Sequence, residues 1–331
     1  MSGDRTSLYA IGLDLGGSSL KGGIINSEGK LLQLKQVPSP VHDRPEQIVE
    51  VLAGLLNALV EEARATGGTL VGAGVSSTLD VDPQSGCFLP PHFAHLERWQ
   101  GYPIVQALQE ASGLPVLVEN DGPMCAWGEY LVGAGRGTDS LIMVTLGSGV
   151  GGGAILEGKR LPETLGRAAY FGHLCIDQHG LDCPCGRRGC WEMYVSATAL
   201  EKRAAEAVVA ARRSTRLTRQ PTAHQIVAAA QAGDALANRL LQEHAAYLAI
   251  GLTDLANLFA PPLIVVGGGL SQAGELLLAR ARQQMNAQRL PIRNEIAVLP
   301  SQLPFEAGLL GAALLSLERF GSVYVRDSHQ Q

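Results

Sequence analysis

Basic residues are in short supply in this chain of 331 residues. Its 26 lysines and arginines stand against 31 aspartates and glutamates, a formal net charge of −5. A nucleic-acid surface needs a broad basic face to offset phosphate charge, and none is offered. The densest basic run, Arg212-Arg213-Ser-Thr-Arg216-Leu-Thr-Arg219, lies between helical stretches and reads as a solvated connection. Apolar runs are short as well, each interrupted before the roughly 20 residues that a membrane helix needs. No secretory leader is expected, because Met1–Ser7 is polar and the next apolar run is broken by Asp14 and glycines. Only Cys87 and Cys125 lie outside a single cysteine cluster, which argues against a disulfide framework and for a reducing cytoplasm. With 46% hydrophobic and 17% charged residues, the composition is that of a soluble globular protein. The length allows two domains.

The other four cysteines fall in Gly172–Glu192, GHLCIDQHGLDCPCGRRGCWE. His173, Cys183-x-Cys185 and Cys190 supply three thiols and one imidazole, the donor set of a closed tetrahedral zinc site. Cys175 and His179 compete for the same role. A redox dithiol would more usually be spaced Cys-x-x-Cys. Reduced structural cysteines are the competing reading.

Taken in order, the chain opens with three strands, Tyr9–Leu15, Leu20–Asn26 and Leu31–Val37, an antiparallel meander with a glycine turn at Asp14–Ser19. A helix from Pro45 to about Ala65 follows, with Ile48, Leu52, Leu55, Leu56 and Leu59 on one face. Leu70–Ser77 and Pro115–Val118 are strands flanking a short helix, Ile104–Ser112. The second runs straight into Glu119-Asn120-Asp121 and a helix, Pro123–Val132. Polar residues at a strand's carboxyl end sit where α/β folds place ligands, although Asp121 as a plain helix cap is the blander reading. Later come strands Ser140–Leu146, Ala154–Leu156, Leu263–Val266 and Ile296–Leu299. The helices expected between and after them are Met193–Arg213, Thr222–Ala232, Asp234–Phe259, Gln272–Ala287 capped by Ser271, and Glu306–Phe320. Residues after Gly321 read as a frayed tail.

Leu15-Gly-Gly-Ser-Ser-Leu-Lys-Gly-Gly-Ile-Ile and Leu146-Gly-Ser-Gly-Val-Gly-Gly-Gly-Ala-Ile-Leu share Leu, Gly, Gly and Ile at an offset of 131 residues. This suggests an internal duplication into two similar domains, each presenting one glycine hairpin, with chance similarity of glycine-rich strands as the competing reading. Gly147, Gly149 and Gly152 also fit G-x-G-x-x-G. That dinucleotide motif requires a helix next, whereas strand and turn follow here. Backbone N–H groups bared by glycine can still wrap phosphate oxygens, so the two hairpins are expected to grip a nucleoside triphosphate.

These pieces resemble the ROK family of bacterial sugar kinases and repressors from Ile11 to about Leu315. The resemblance implies a two-domain actin-like, hexokinase-like (ribonuclease H-like) α/β fold with a zinc-binding loop at 173–190. Residues 1–121 and 306–331 would form the N-terminal domain and 122–305 the C-terminal one. It implies Asp121 as the base that takes a proton from a sugar hydroxyl attacking ATP. Asn120, His173 and Glu192 would hold other hydroxyls, with Tyr170 and Thr78 beside the sugar. Asp14 would lie near Mg²⁺. Gly16, Gly17, Ser18 and Lys21 belong to the first phosphate hairpin, and Gly147, Ser148 and Gly149 to the second. Gly268 and Gly269 lie in the adenosine motif. Zn²⁺ on His173, Cys183, Cys185 and Cys190 and a homodimer complete the expectation.

Two departures from the family pattern fall on the sugar side. Tyr170 stands where E-x-G-H would place glutamate, and a phenol offers neither a fixed charge nor a bidentate acceptor. Thr78-Leu79 stands where the family has Pro-Gly. The resemblance thus implies ATP-dependent phosphorylation of glucose or a related, modified hexose, at the 6-hydroxyl. The competing expectations are a catalytically weak sugar sensor, kept open by Tyr170, and a repressor. The latter is disfavoured by a first phosphate strand at Tyr9 that leaves no room ahead of it for a helix-turn-helix.

Overall fold

The computed structural model describes residues 8–17, 19–39, 44–90, 94–161, 170–210, 214–291 and 295–327. Two compact units divide the chain, each built on one mixed five-stranded sheet.

The first unit holds the described parts of Met1–Gly133 and Phe305–Gln331. Its strands are β1 (Leu8–Leu15), β2 (Ser19–Asn26), β3 (Leu31–Pro38), β4 (Thr69–Ser77) and β5 (Val116–Asn120), in the order β3-β2-β1-β4-β5. β1, β2 and β3 pair antiparallel, and β4 and β5 add in parallel. α1 (Pro45–Ala65) buries Ile48, Leu52, Leu55, Leu56 and Leu59, the face that its periodicity predicts. These side chains pack with Ile11, Leu13, Leu15 and Leu20 into one core. α2 (Ile104–Ser112) closes with Gly113 in the left-handed region (φ 68°).

The opposite side of this sheet is shaped by small residues. Gly12 and Gly74 are register partners on β1 and β4. A side chain at Gly12 would strike the Leu309 carbonyl, and one at Gly74 the Ala312 carbonyl, in α9 (Ala307–Asp327). The same helix lies against α3 (Asp121–Val132), where Gly128 meets the Ala307 carbonyl and Gly311 meets the Met124 carbonyl. This contact explains a difference from the expected boundary at residue 121: α3 packs on α9 and so belongs to the first unit. α9 also continues to Asp327 where a frayed tail after Gly321 is expected from the sequence.

The second unit holds the described parts of Ala134–Leu161 and Ala169–Pro304. Its strands are β6 (Leu141–Leu146), β7 (Val150–Leu156), β8 (Lys159–Arg160), β9 (Leu263–Gly267) and β10 (Ala297–Pro300). They lie in the order β8-β7-β6-β9-β10, again a meander followed by two parallel strands. The topology is that of the first unit, as the duplicated hairpin predicts. β7 begins at Val150, four residues before the expected start, because Gly151, Gly152 and Gly153 pair with Thr145, Val144 and Met143. Gly152 leaves the space that the Phe171 ring fills.

Helices here are α4 (Glu192–Val195), α5 (Ala197–Ala210), α6 (Ala223–Gln231), α7 (Ala235–Phe259) and α8 (Glu275–Gln288). The single helix expected over Met193–Arg213 is two. Ser196 leaves the helical region (φ −69°, ψ 159°), and its hydroxyl accepts the N–H of Ala199 to cap α5. Ser271 does not cap α8: its hydroxyl donates to the Gly268 carbonyl, and the helix starts beyond Gly274. No described helix is long and apolar enough to cross a membrane.

Candidate active site

In the first unit, Asp14 on β1 faces its parallel partner Ser76 on β4, whose hydroxyl donates to Asp14 Oδ1 at 2.8 Å. Burial raises the Asp14 carboxyl above its ordinary value, against the opposing pulls of Ser76 and Lys21. A side chain at Gly308 would meet both Ser76 Oγ and Asp14 Oδ1, so glycine there is what lets α9 start beside this carboxylate. Gly16 closes the β1–β2 turn by donating its N–H to the Ser19 carbonyl at 3.1 Å. The Gly16 carbonyl in turn accepts the Ser39 hydroxyl at 2.5 Å. Gly17 is exposed at the tip, while Ser18 lies outside the described residues. Lys21 pairs across from Asp14 in the β1–β2 ladder, and its Nζ donates to the Phe305 carbonyl at 2.8 Å.

Asn120 ends β5 and caps α3, its side-chain oxygen accepting the Gly122 N–H at 3.1 Å. The cap is therefore Asn120, and Asp121, the first helical residue, is not needed for that task. Burial pushes the Asp121 carboxyl from 3.8 to about 7, with the Asp14 and Asp80 carboxylates adding to the rise and the Gly122 N–H opposing it. Cys125 lies one turn along α3, where burial first, then Asp14 and Asp121, push its thiol well up and keep it neutral. Thr78 is exposed, and Leu79 beyond it is buried with its N–H on Ser77 Oγ. Ser76, Asp80 and Cys125 are absent from the site residues expected from sequence. The polar pair Ser76-Ser77 at the end of a buried strand was the available signal for the first.

In the second unit, the β6–β7 hairpin spends all its turn carbonyls inward. Gly149's carbonyl accepts the Gly147 N–H at 3.0 Å, Gly147's accepts the Ala197 N–H at 2.8 Å, and Ser148's accepts the Thr198 hydroxyl at 2.9 Å. Nothing among the described residues accepts the N–H groups of Ser148 and Gly149. The hairpin thus presents bare backbone donors, the chemistry of an anion cradle. Gly268 adopts φ 78°, and a side chain there would run into the Leu146 carbonyl, so only glycine brings the end of β9 this close to β6. Gly269 is the next residue and opens a short 3₁₀ turn.

His173, Cys183, Cys185 and Cys190 gather with their ligand atoms all within 4.8 Å of one another. His173 Nδ1 lies 3.7 Å from Cys183 Sγ, and Cys185 Sγ lies 3.7 Å from Cys190 Sγ. Zinc bonds of ~2.3 Å to sulfur and ~2.0 Å to nitrogen give tetrahedral edges of about 3.5–3.8 Å, which these two separations match, and three thiols with one imidazole are a donor set that suits the ion. Cys175 is exposed and turns its thiol to the Arg188 carbonyl, and His179 is exposed; neither belongs to the group. Tyr170 sits at the loop's start with its ring centroid 6.2 Å from that of His173. At the loop's end Glu192 Oε2 accepts the Val150 N–H at 2.7 Å, which ties this residue to the β6–β7 hairpin.

The profile of the ROK family matches the chain over residues 10–319. A glucokinase of Streptomyces coelicolor is 36% identical over 323 residues, covering 93% of this chain and 97% of its own. An N-acetylmannosamine kinase of Escherichia coli is 30% identical, with 93% and 98% covered. Among solved structures, a ROK family glucokinase of Streptomyces griseus in complex with glucose and AMPPNP superposes with a TM-score of 0.82 at 35% identity. It covers 94% of this chain and 99% of its own.

Proposed function

The chain belongs to the ROK family, and we propose that this ATP-dependent sugar kinase uses Asp121 to take the proton of the hexose hydroxyl that attacks the γ-phosphate. One observation carries the reading: Asp121 follows a cap that does not need it, in surroundings that bring its carboxyl to about 7. A base tuned near the working pH is both ionised often enough and basic enough to accept the proton. Asn120, Thr78, Tyr170, His173 and Glu192 hold the sugar in this reading, which places phosphorylation at the 6-hydroxyl.

Phosphoryl transfer asks chiefly for positioning and charge neutralisation. The bare N–H groups of Ser148 and Gly149 supply donors to the phosphates, with Gly147 setting the turn. Gly16, Gly17, Ser18 and Lys21 provide the corresponding hairpin of the first unit, and Gly268 and Gly269 the approach for adenosine. Asp14, coupled to Asp121, suits a site where Mg²⁺ neutralises carboxylate and phosphate together. Zn²⁺ on His173, Cys183, Cys185 and Cys190 would serve as a structural cross-link, fixing the imidazole through Nδ1. A homodimer in the cytoplasm, on the actin-like fold of the resemblance, completes the proposal.

Tyr170 and Thr78 make the sugar the open question, and relatives named for glucose and for N-acetylmannosamine bracket the choice. The test is ADP release with Mg²⁺-ATP across hexoses, amino sugars and N-acetyl sugars. Turnover with at least one is expected. Sugar binding by calorimetry without ADP from any sugar would replace the kinase with a sensor.

A further inference from the structure

The β6–β7 hairpin closes its turn with one hydrogen bond, from the Gly147 N–H to the Gly149 carbonyl. Leu146 and Val150 then face each other as a non-hydrogen-bonded pair, so the strands add no bond at that position and the Val150 N–H, pointing away from β6, goes to Glu192. The turn is instead gripped from one short stretch of chain, Glu192–Thr198, which supplies a carboxylate to Val150, a backbone N–H to Gly147 and a hydroxyl to Ser148. Two of these three grips come from the first turn of α5, whose positive end therefore lies against the carbonyl side of the hairpin. Binding the carbonyls on one side is what turns the N–H groups to the other. The Ser148 carbonyl matters most here, because it belongs to the peptide whose nitrogen is that of Gly149, one of the two bare donors. The first unit repeats the arrangement: the Ser39 hydroxyl donates to the Gly16 carbonyl of the β1–β2 hairpin at 2.5 Å.

We propose that Thr198 is a positioning residue for the phosphate hairpin, orienting the Ser148–Gly149 peptide so that its N–H meets a nucleotide phosphate. The inference rests on the kinase reading of this hairpin. Thr198 touches no substrate in this role; it acts through Ser148. Its side chain is exposed, so replacement opens no cavity in the core and the fold should survive.

Titration of the full-length protein with a non-hydrolysable ATP analogue and Mg²⁺ tests the idea. Thr198→Val, which keeps the shape and deletes the donor, should weaken analogue binding and raise KM for ATP roughly three- to tenfold, the range of one ordinary hydrogen bond. Sugar affinity and melting temperature should stay at wild-type values. Thr198→Ser should restore nucleotide affinity to within about twofold, since the hydroxyl is what counts. Wild-type analogue affinity in the Val variant would overturn the inference, as would a Ser variant as weak as the Val variant. Equal losses of sugar and nucleotide affinity with a lowered melting temperature would also overturn it by showing a general structural role. Failure of the wild-type protein itself to bind the analogue would instead remove the kinase reading beneath it.

Discussion

Asp121 is pulled in two directions: its own helix and the Gly122 N–H favour the carboxylate, while burial, Asp14 and Asp80 favour the acid. The second set wins, which has consequences for rate and for stability. Replacing Asp121 with Asn removes the proton acceptor but keeps shape and burial, so kcat should fall about 10²–10⁴-fold with sugar and ATP affinities retained. In the wild type kcat/KM should rise through a pH near 7, the apparent value belonging to the coupled Asp14–Asp121 pair. Near-normal turnover in the variant would strip Asp121 of the role. For stability, a carboxyl raised from 3.8 to about 7 in the folded state costs nothing where both states are protonated. The cost grows as pH climbs through that window and is full above it. Asp121→Asn should therefore melt higher than wild type at pH 8, by about 2–4 °C per kcal/mol recovered, with the gap closing at pH 4. An unchanged gap at both pH values would show that the carboxylate is not strained. Asp14 stood out in the sequence because it sits at the end of a buried strand beside a glycine turn, and Asp121 because it directly follows a buried strand. Cys125 was not, because a cysteine inside a helix looks the same whether it touches a carboxylate or a leucine.

The stretch from Phe171 to Ala210 runs as a continuous series of short elements joined by hydrogen bonds. The cysteine-rich loop closes on itself through the Trp191 N–H to the Leu174 carbonyl and the Ile176 N–H to the Gly189 carbonyl. Without a pause it becomes α4, where Glu192 braces Val150, and then α5, where Ala197 and Thr198 brace Gly147 and Ser148. Tyr194 pins α4 back onto the loop, its hydroxyl accepting the Leu181 N–H at 2.9 Å, while Arg203 donates to the Tyr194 carbonyl at 2.7 Å. The cysteine cluster stood out by composition. The break at Ser196 did not, since one serine inside a helix-forming run carries no local signal that its hydroxyl will serve as a cap. A single-thiol loss propagates along this path. Cys185→Ser should abolish stoichiometric zinc in the purified protein and weaken sugar binding more than nucleotide binding. His173 is itself proposed to touch the sugar, whereas Glu192 is one of three braces on the hairpin. Calorimetry with each ligand, beside metal analysis, reads this out, and sugar affinity that survives zinc loss would break the link.

Across the whole molecule, the same sheet is built twice from strands whose sequences agree only around their glycine turns. The overlay at 131 residues holds for the first strand of each hairpin but slips to 130 for the second: Leu13 pairs with Gly22, and Val144 with Gly152. The second hairpin is one residue tighter, a difference that strand-by-strand reading cannot see because register is set by the turn. The boundary between units was hidden for a related reason. The contacts that assign α3 to the first unit are glycine-to-carbonyl approaches between Gly128 and Ala307, and between Met124 and Gly311, residues far apart in sequence. The first unit therefore depends on α9, a helix distant in sequence from the strands it covers. α9 buries Leu309, Leu310, Ala312 and Ala313 on the side of the sheet where Gly12 and Gly74 offer no side chains of their own. Each buried leucine is worth about 1.5–3 kcal/mol, and leaving out the helix also uncovers the strands' own apolar atoms. A chain ending at Pro304 should thus lose the cooperative fold of the first unit, bind a dye for exposed apolar surface, and show no kinase activity. The His173–Cys183–Cys185–Cys190 cluster lies wholly within the second unit, so if it holds zinc as proposed, one zinc per chain should remain in whatever stays soluble. Cooperative melting of both units without α9 would show that the sheet holds its shape without this cover.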